Sequence, residues 1–265
     1  MRTPSRPSEK RRKPPRPALA VEAPPVLQRK QVFDLLRGVA IALMVAYHFC
    51  FDLNYHGLTR FDFNHDPFWL SLRAGILSLF LALVGVSLVL ADSQGFDSRR
   101  HGRRLAWLAG AAVLVSLSSL MLFPDSWIFF GVLHFILLAS LLGRLFLRFH
   151  WLNLGLGTLL LLIGNSLRHP FFDQAGWQWF GLMTHKPITE DYVPLLPWFG
   201  VVLIGIFLGR LSESSEPGRR LGAWRSEQPL AKLLALAGRH SLLIYLAHQP
   251  LLLGLLWAVS PLAGR

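Results

Sequence analysis

VFDLLRGVAIALMVAYHFCFDL, residues 32–53, decides the fold class. An apolar run of about 20 residues is long enough to cross the hydrocarbon of a bilayer as one helix. Yet this run contains Asp34, Arg37, His48 and Asp52. Ionisable groups inside a membrane cost a few kcal/mol each or more, and they are retained where they face the interior of a helix bundle. At helical spacing Asp34, Arg37, Ile41, Val45, His48 and Asp52 share one stripe. Two local pairings fit the same spacing, Asp34 with Arg37 (i, i+3) and His48 with Asp52 (i, i+4). A histidine with a carboxylate one turn away has its tautomer fixed and its basicity raised, as a general base requires. Cys50 lies on the opposite face and reads as packing.

The rest of the chain repeats the apolar theme. Of its 265 residues 52% are hydrophobic and 16% charged, with mean hydropathy +0.41. A soluble domain carries about 25% charged residues, so too little polar surface is present to face water. Further apolar runs fall at about 68–91, 105–123, 127–148, 151–168, 193–211 and 241–259. The expected fold is all-α, a polytopic transmembrane bundle of about seven spans over residues 32–265. It follows a basic, Pro-rich tail (1–31) too polar to bury a core. Pro194 and Pro197 suit the start of the sixth span, and 230–237 reads as an amphipathic helix leading into the last.

The net charge of +12 does not point to nucleic acid, because the basic residues flank the apolar runs, where they set orientation. With the N-terminus cytoplasmic and seven crossings, 22 of the 27 Lys and Arg fall on the inner side. Only Arg60, Arg73, Arg168, Lys186 and Arg265 are left outside. N-terminus in and C-terminus out is the expected topology. The single cysteine excludes an internal disulfide, and no Cys/His spacing suggests a metal site.

Two further segments carry candidate chemistry. The loop NYHGLTRFDFNHDPFW (54–69) places His65 beside Asp66 at the start of the second span, and Arg73 lies a few residues inside that span as an anion ligand or a snorkelling cation. In the last span, GRHSLLIYLAHQPLLLGLLW (238–257), Ser241, Tyr245, His248, Gln249 and Leu252 share a face. Pro250 there removes one backbone hydrogen bond. Inter-helix hydrogen bonding would explain these polar groups equally well. Arg239 and His240 lie at the inner edge, within reach of an anionic cosubstrate. The outer loop 169–192 carries Asp173, His185, Glu190 and Asp191 and could shape an acceptor site.

DLLRGVAIALMVAYHFCFDL (34–53), LFLALVGVSLVL (79–90), PWFGVVLIGIFLGR (197–210) and GRHSLLIYLAHQP (238–250) together resemble the heparan-α-glucosaminide N-acetyltransferase catalytic-domain family in a compact bacterial form. The resemblance covers nearly everything after residue 30. It implies transfer of an acetyl group from cytosolic acetyl-CoA, as cosubstrate, to a sugar on the far side of the membrane. In the lysosomal member an active histidine lies in the loop after the helix carrying the RG-x-A block, and His65 best matches it. His48 falls where that enzyme has an active-site asparagine. The separate lumenal domain and additional spans of that enzyme have no counterpart here.

Chemistry and resemblance meet in one expectation, an integral acetyltransferase of the bacterial inner membrane. His48, Asp52, His65 and His248 are the candidate catalytic residues. Arg37, Arg239 and His240 are candidates for the acetyl-CoA phosphates, and Arg73, Tyr245 and Gln249 for the substrate and the developing oxyanion. The expected partners are the lipid bilayer, acetyl-CoA and a carbohydrate acceptor, with no metal and no nucleic acid. The oligomeric state stays open, a homo-oligomer included. A transporter or flippase whose path is lined by the same stripe is the alternative, and a non-catalytic membrane subunit is a third.

Overall fold

The computed structural model describes residues 30–95 and 97–263, with the side chains of 259–263 left aside. The tail expected over 1–31 falls almost wholly outside the described residues. Every apolar run becomes a helix: α1 (Gln31–Tyr55), α2 (Pro67–Ser93), α3 (Ser98–Leu122), α4 (Val132–Phe146), α5 (Trp151–Ser166), α6 (Leu195–Ser214) and α9 (Ser241–Ala263). Two more helices, α7 (Glu216–Ala223) and α8 (Pro229–Arg239), lie between α6 and α9. No strand occurs among the described residues.

Local chemistry explains the ends. Asp66 accepts from the Phe68 N–H with Pro67 in the first turn of α2, and Asp97 caps α3 by accepting from the N–H groups of Arg99 and Arg100. Leu196 is non-helical (φ −102°, ψ 132°), so the regular part of α6 starts at Pro197, where a missing N–H costs nothing.

Five helices, α1, α2, α3, α6 and α9, are long and apolar enough to cross a membrane. α4 and α5, with 15 and 16 residues, are shorter than the expected spans. Their contacts show what depth they cover. At one end of α4 the Val132 N–H donates to Asp191 (2.7 Å); at the other, Arg210 of α6 donates from Nε to the Leu147 carbonyl (2.7 Å). α5 begins where the His150 and Trp151 rings lie tilted against Phe207 and ends with Gly164 against Pro197. Both therefore run the length of α6 between Pro197 and Arg210, on the order of 20 Å at 1.5 Å per residue.

The core is built on close backbone approaches. A Cβ on Gly85 of α2 would stand 2.2 Å from the Val202 carbonyl oxygen, and one on Gly205 of α6 would stand 2.2 Å from that of Ala82. Small residues let helices meet this way in membranes, where no hydrophobic force drives them together. Around this seam Leu81, Phe135, Val202, Leu203 and Ile206 are fully buried. A second close pair joins α1 to α8: a Cβ on Gly38 would lie 1.8 Å from the Leu234 oxygen, and one on Gly238 would lie 1.8 Å from the Asp34 oxygen. The amphipathic helix expected over 230–237 is thus α8. It lays Ala231, Ala235 and Gly238 on α1 and leaves Leu230, Leu233 and Leu236 exposed.

Gly38→Ala or Gly238→Ala should push α1 and α8 apart and cost on the order of 1–3 kcal/mol, read as a lower thermal unfolding midpoint in detergent. Gly110→Ala, which meets nothing within 4 Å, should leave the midpoint unchanged or raise it slightly.

Candidate active site

A cavity of about 1910 Å³ is lined chiefly by α1, α2, α3, α4 and α9. Small-molecule sites usually occupy roughly 300–1,000 Å³, so there is room for more than one ligand. The cavity extends along α1 from Asp34 and Arg37 to His48 and Asp52, and along the end of α8 and α9 from Arg239 to Gln249. It therefore joins the end of the bundle that holds the N-terminus of α1 to the opposite end.

At its centre the His48 and His248 rings meet edge to face, with centroids 5.0 Å apart. His248 is 8% exposed and its Nδ1 lies 2.5 Å from the Tyr245 carbonyl oxygen. A carbonyl only accepts, so Nδ1 carries the hydrogen and Nε2 keeps its lone pair. That Nε2 is buried with no hydrogen-bond partner. One turn beyond His48, Asp52 is 3% exposed and accepts from Gln249 Nε2 through Oδ1 (2.9 Å). Asp52 Oδ2 and Gln249 Oε1 are likewise buried without a partner. Buried polar atoms are nearly always paired, and each exception needs a reason. Three exceptions on adjoining residues at one cavity wall define a polar locus with its acceptors unspent.

The end of the cavity near the start of α1 is cationic. The Asp34 carboxylate accepts from Arg37 (3.0 Å) and from Arg239 (3.3 Å), and Arg37 also donates to the Ser87 hydroxyl (2.8 Å). Arg100, Arg103, Arg104 and Arg144 line the same mouth. Six guanidinium groups around one opening make a site for a multiply charged anion.

The far end is organised by Asp191. Its Oδ2 accepts from the Val132 N–H at the start of α4 and from the Tyr245 hydroxyl of α9 (3.3 Å). Burial pushes the Asp191 carboxyl above the usual carboxylate range, against the Val132 N–H, the Tyr245 hydroxyl and Lys186, which favour the ionised form. A Cβ on Gly131 would strike Asp191 Oδ2 at 2.3 Å, so a glycine before α4 is what admits the carboxylate. Arg73, Lys186 and Glu190 line the cavity beside it.

The structure brings together eight of the expected residues: Arg37, His48, Asp52, Arg73, Arg239, Tyr245, His248 and Gln249 line this one cavity. His65 and His240 are not in its lining. The loop carrying His65 is folded onto Asp62, whose carboxylate takes the His65 N–H and ring Nδ1 (2.9 and 3.1 Å), leaving the His65 side chain 84% exposed. His240 lies exposed at the turn between α8 and α9, its N–H on the Leu236 and Ala237 carbonyls. The local His48–Asp52 pairing is not formed; Asp52 is taken by Gln249, and His48 faces His248. Tyr245 is engaged by Asp191. Sequence reasoning placed Asp191 only among loop acids, because nothing local marks a carboxylate that reaches the start of one helix and a side chain of another.

A family model described as heparan-alpha-glucosaminide N-acetyltransferase, catalytic, matches residues 29–250. No curated protein and no solved structure matches the chain.

Asp191→Ala strands the Val132 N–H and the Tyr245 hydroxyl and should cost about 1–3 kcal/mol, read as a lower unfolding midpoint; Asp191→Asn, which keeps a carbonyl acceptor, should cost less. Because the folded pKa is raised, the folded chain holds this proton more firmly than the unfolded one. The Asp191 contribution is full below the unfolded value and lost as pH rises through the folded value. Midpoints measured across that range should fall with pH more steeply in the wild type than in Asp191→Asn.

Proposed function

The chain belongs to the heparan-α-glucosaminide N-acetyltransferase catalytic family, and from that premise we propose that it transfers an acetyl group from acetyl-CoA on the cytoplasmic side to a carbohydrate on the outer side of a bacterial inner membrane. The observation that carries this reading is the continuity of the cavity between a mouth of six arginines and the His48–His248 pair. The orientation is supported by the distribution of basic residues. Seven crossings are supported by the depth that α4 and α5 share with α6, and by α1 and α9 running in parallel from Asp34 and Arg239 to Asp52 and Gln249. An odd number of crossings requires that parallel arrangement.

In this reading Arg37, Arg239 and the α3 arginines hold the CoA phosphates at the inner mouth, and the pantetheine arm lies along the cavity so that the thioester reaches the histidine pair. The acceptor amine or hydroxyl approaches from the other end and attacks the thioester carbonyl carbon. His248 Nε2, held as a free lone pair by the Nδ1 hydrogen bond, takes the acceptor proton. As the carbon–sulfur bond breaks, the same proton passes to the departing sulfur, and CoA leaves as the thiol. His48 lines the opposite wall and orients the acceptor. Gln249 and Asp52 fix α9 in register, and the Asp52 carboxylate stabilises the imidazolium that forms when His248 takes the proton. His65, on the exposed outer loop, is assigned to the acceptor side.

His248→Ala and His48→Ala should each lower acetyl transfer by roughly 10²-fold or more at unchanged unfolding midpoint, while His65→Ala should act mainly on the acceptor KM. The check is radiolabelled acetyl transfer to amino sugars and glycans by the purified protein in proteoliposomes. Wild-type rates in both His48→Ala and His248→Ala would refute the site, and movement of the sugar across the membrane with no chemical change would favour transport.

A further inference from the structure

The cavity has a second opening, and it faces sideways. α2 and α3 are joined by only four residues, 94–97, yet they make no extended contact: α2 packs on α1, α4 and α6, and α3 packs on α4 and the turn at Pro124–Ser126. Both helices line the cavity along their length, and several lining residues are at the same time exposed. In the outer half these are Arg73 and Ala74 of α2 and Ser118 and Leu122 of α3; Leu122 is 68% exposed. On spanning helices, that exposure faces hydrocarbon. The space around His48, Asp52 and His248 thus communicates with the lipid phase as well as with the inner mouth.

A cavity lined by ionisable groups and open to hydrocarbon is satisfied by neither water nor a lipid tail alone. An amphiphile suits both parts. At the edge of the opening two cations stand ready for its polar end. Arg73 and Lys186 both line the cavity and lie close enough for the two charges to oppose each other. Among the described residues neither closes a salt bridge, although Asp191 and Glu190 lie near Lys186. A soluble, polyanionic donor such as acetyl-CoA is served by the arginine mouth and does not need a sideways opening.

Resting on the function proposed above, we infer that the acceptor sugar is carried on a phosphorylated membrane lipid, which enters between α2 and α3 with its phosphate on Arg73 and Lys186 and its chain against Ala74 and Leu122. The lipid tail stays in the bilayer while the sugar reaches the histidine pair.

The test is binding of a radiolabelled long-chain isoprenyl phosphate to the purified full chain, with the neutral isoprenyl alcohol and inorganic phosphate as competitors and acetyl-CoA calorimetry run on every sample. Saturable binding that neither competitor displaces is expected. Arg73→Ala and Lys186→Ala should each weaken it about tenfold, the worth of one charge-assisted contact. Ala74→Trp and Leu122→Trp, which fill the opening from exposed positions, should abolish it while leaving acetyl-CoA binding intact. Displacement by inorganic phosphate would overturn the inference in favour of a soluble anion site. Unchanged binding in the tryptophan variants, or a change in oligomeric state alone, would overturn it in favour of another route or of a second copy covering the groove. A wild-type chain that binds acetyl-CoA but no isoprenyl phosphate overturns this inference only; a folded wild-type chain that binds neither overturns the acetyltransferase reading as well.

Discussion

A carboxylate in a membrane-spanning segment has to find its partners inside the protein, and the two on α1 determine where the last helix lies. Asp34 binds Arg239 at the end of α8, and Asp52 binds Gln249 in α9. These two contacts sit near opposite ends of α1 and hold α9 parallel to it. Gly38 and Gly238 allow the approach, because any side chain at either position would meet backbone. With α9 held there, His248 comes against His48. Leaving either carboxylate alone in hydrocarbon would cost several kcal/mol, which makes this pairing a condition of the fold as well as of the site.

The same pairing leaves a space that the helices do not fill. α2 and α6 meet through Gly85 and Gly205, and α5 rests on α6 through Gly157 and Gly200, so one side of the bundle is dense. On the other side α1 and α9 stand away from α3, and the cavity lies between them. Its charge is divided: arginines cluster at one end, the His48–His248 pair sits between, and Asp191, Lys186 and Arg73 gather at the other. A chain arranged in this way can hold an anionic donor and a neutral or lipid-linked acceptor in one enclosure without either crossing the membrane as a free solute.

Much of this was legible in the sequence because helical periodicity is a local property. The α1 stripe follows from the 3.6-residue repeat, and the last span is marked by Tyr245, His248 and Gln249 on one face. α7 also carried a start signal, Ser215-Glu216-Pro217, with the Ser215 hydroxyl accepting from the Gly218 N–H (3.1 Å), but its eight residues have no apolar stripe to draw notice. What a single sequence lacks is the lateral order of helices. His48 and Asp52 look like a pair at i, i+4, yet Gln249, 197 positions away, takes the carboxylate. Asp191 belongs to an irregular loop before α6, where no period predicts direction, and His65 is turned away from the cavity by an Asp62 turn that its spacing does not reveal. The lengths of α4 and α5 were overestimated because apolar residues in the turns on either side extend the hydropathy signal beyond the hydrogen-bonded helix.

The central claim is that the arginine-lined mouth and the histidine pair form one donor site, and calorimetric titration of the detergent-purified chain with acetyl-CoA, with desacetyl-CoA in parallel, tests it most directly. The account predicts saturable binding of acetyl-CoA at roughly micromolar affinity, about −8 kcal/mol. Absence of any binding heat in protein whose cooperative thermal unfolding shows it to be folded would contradict it.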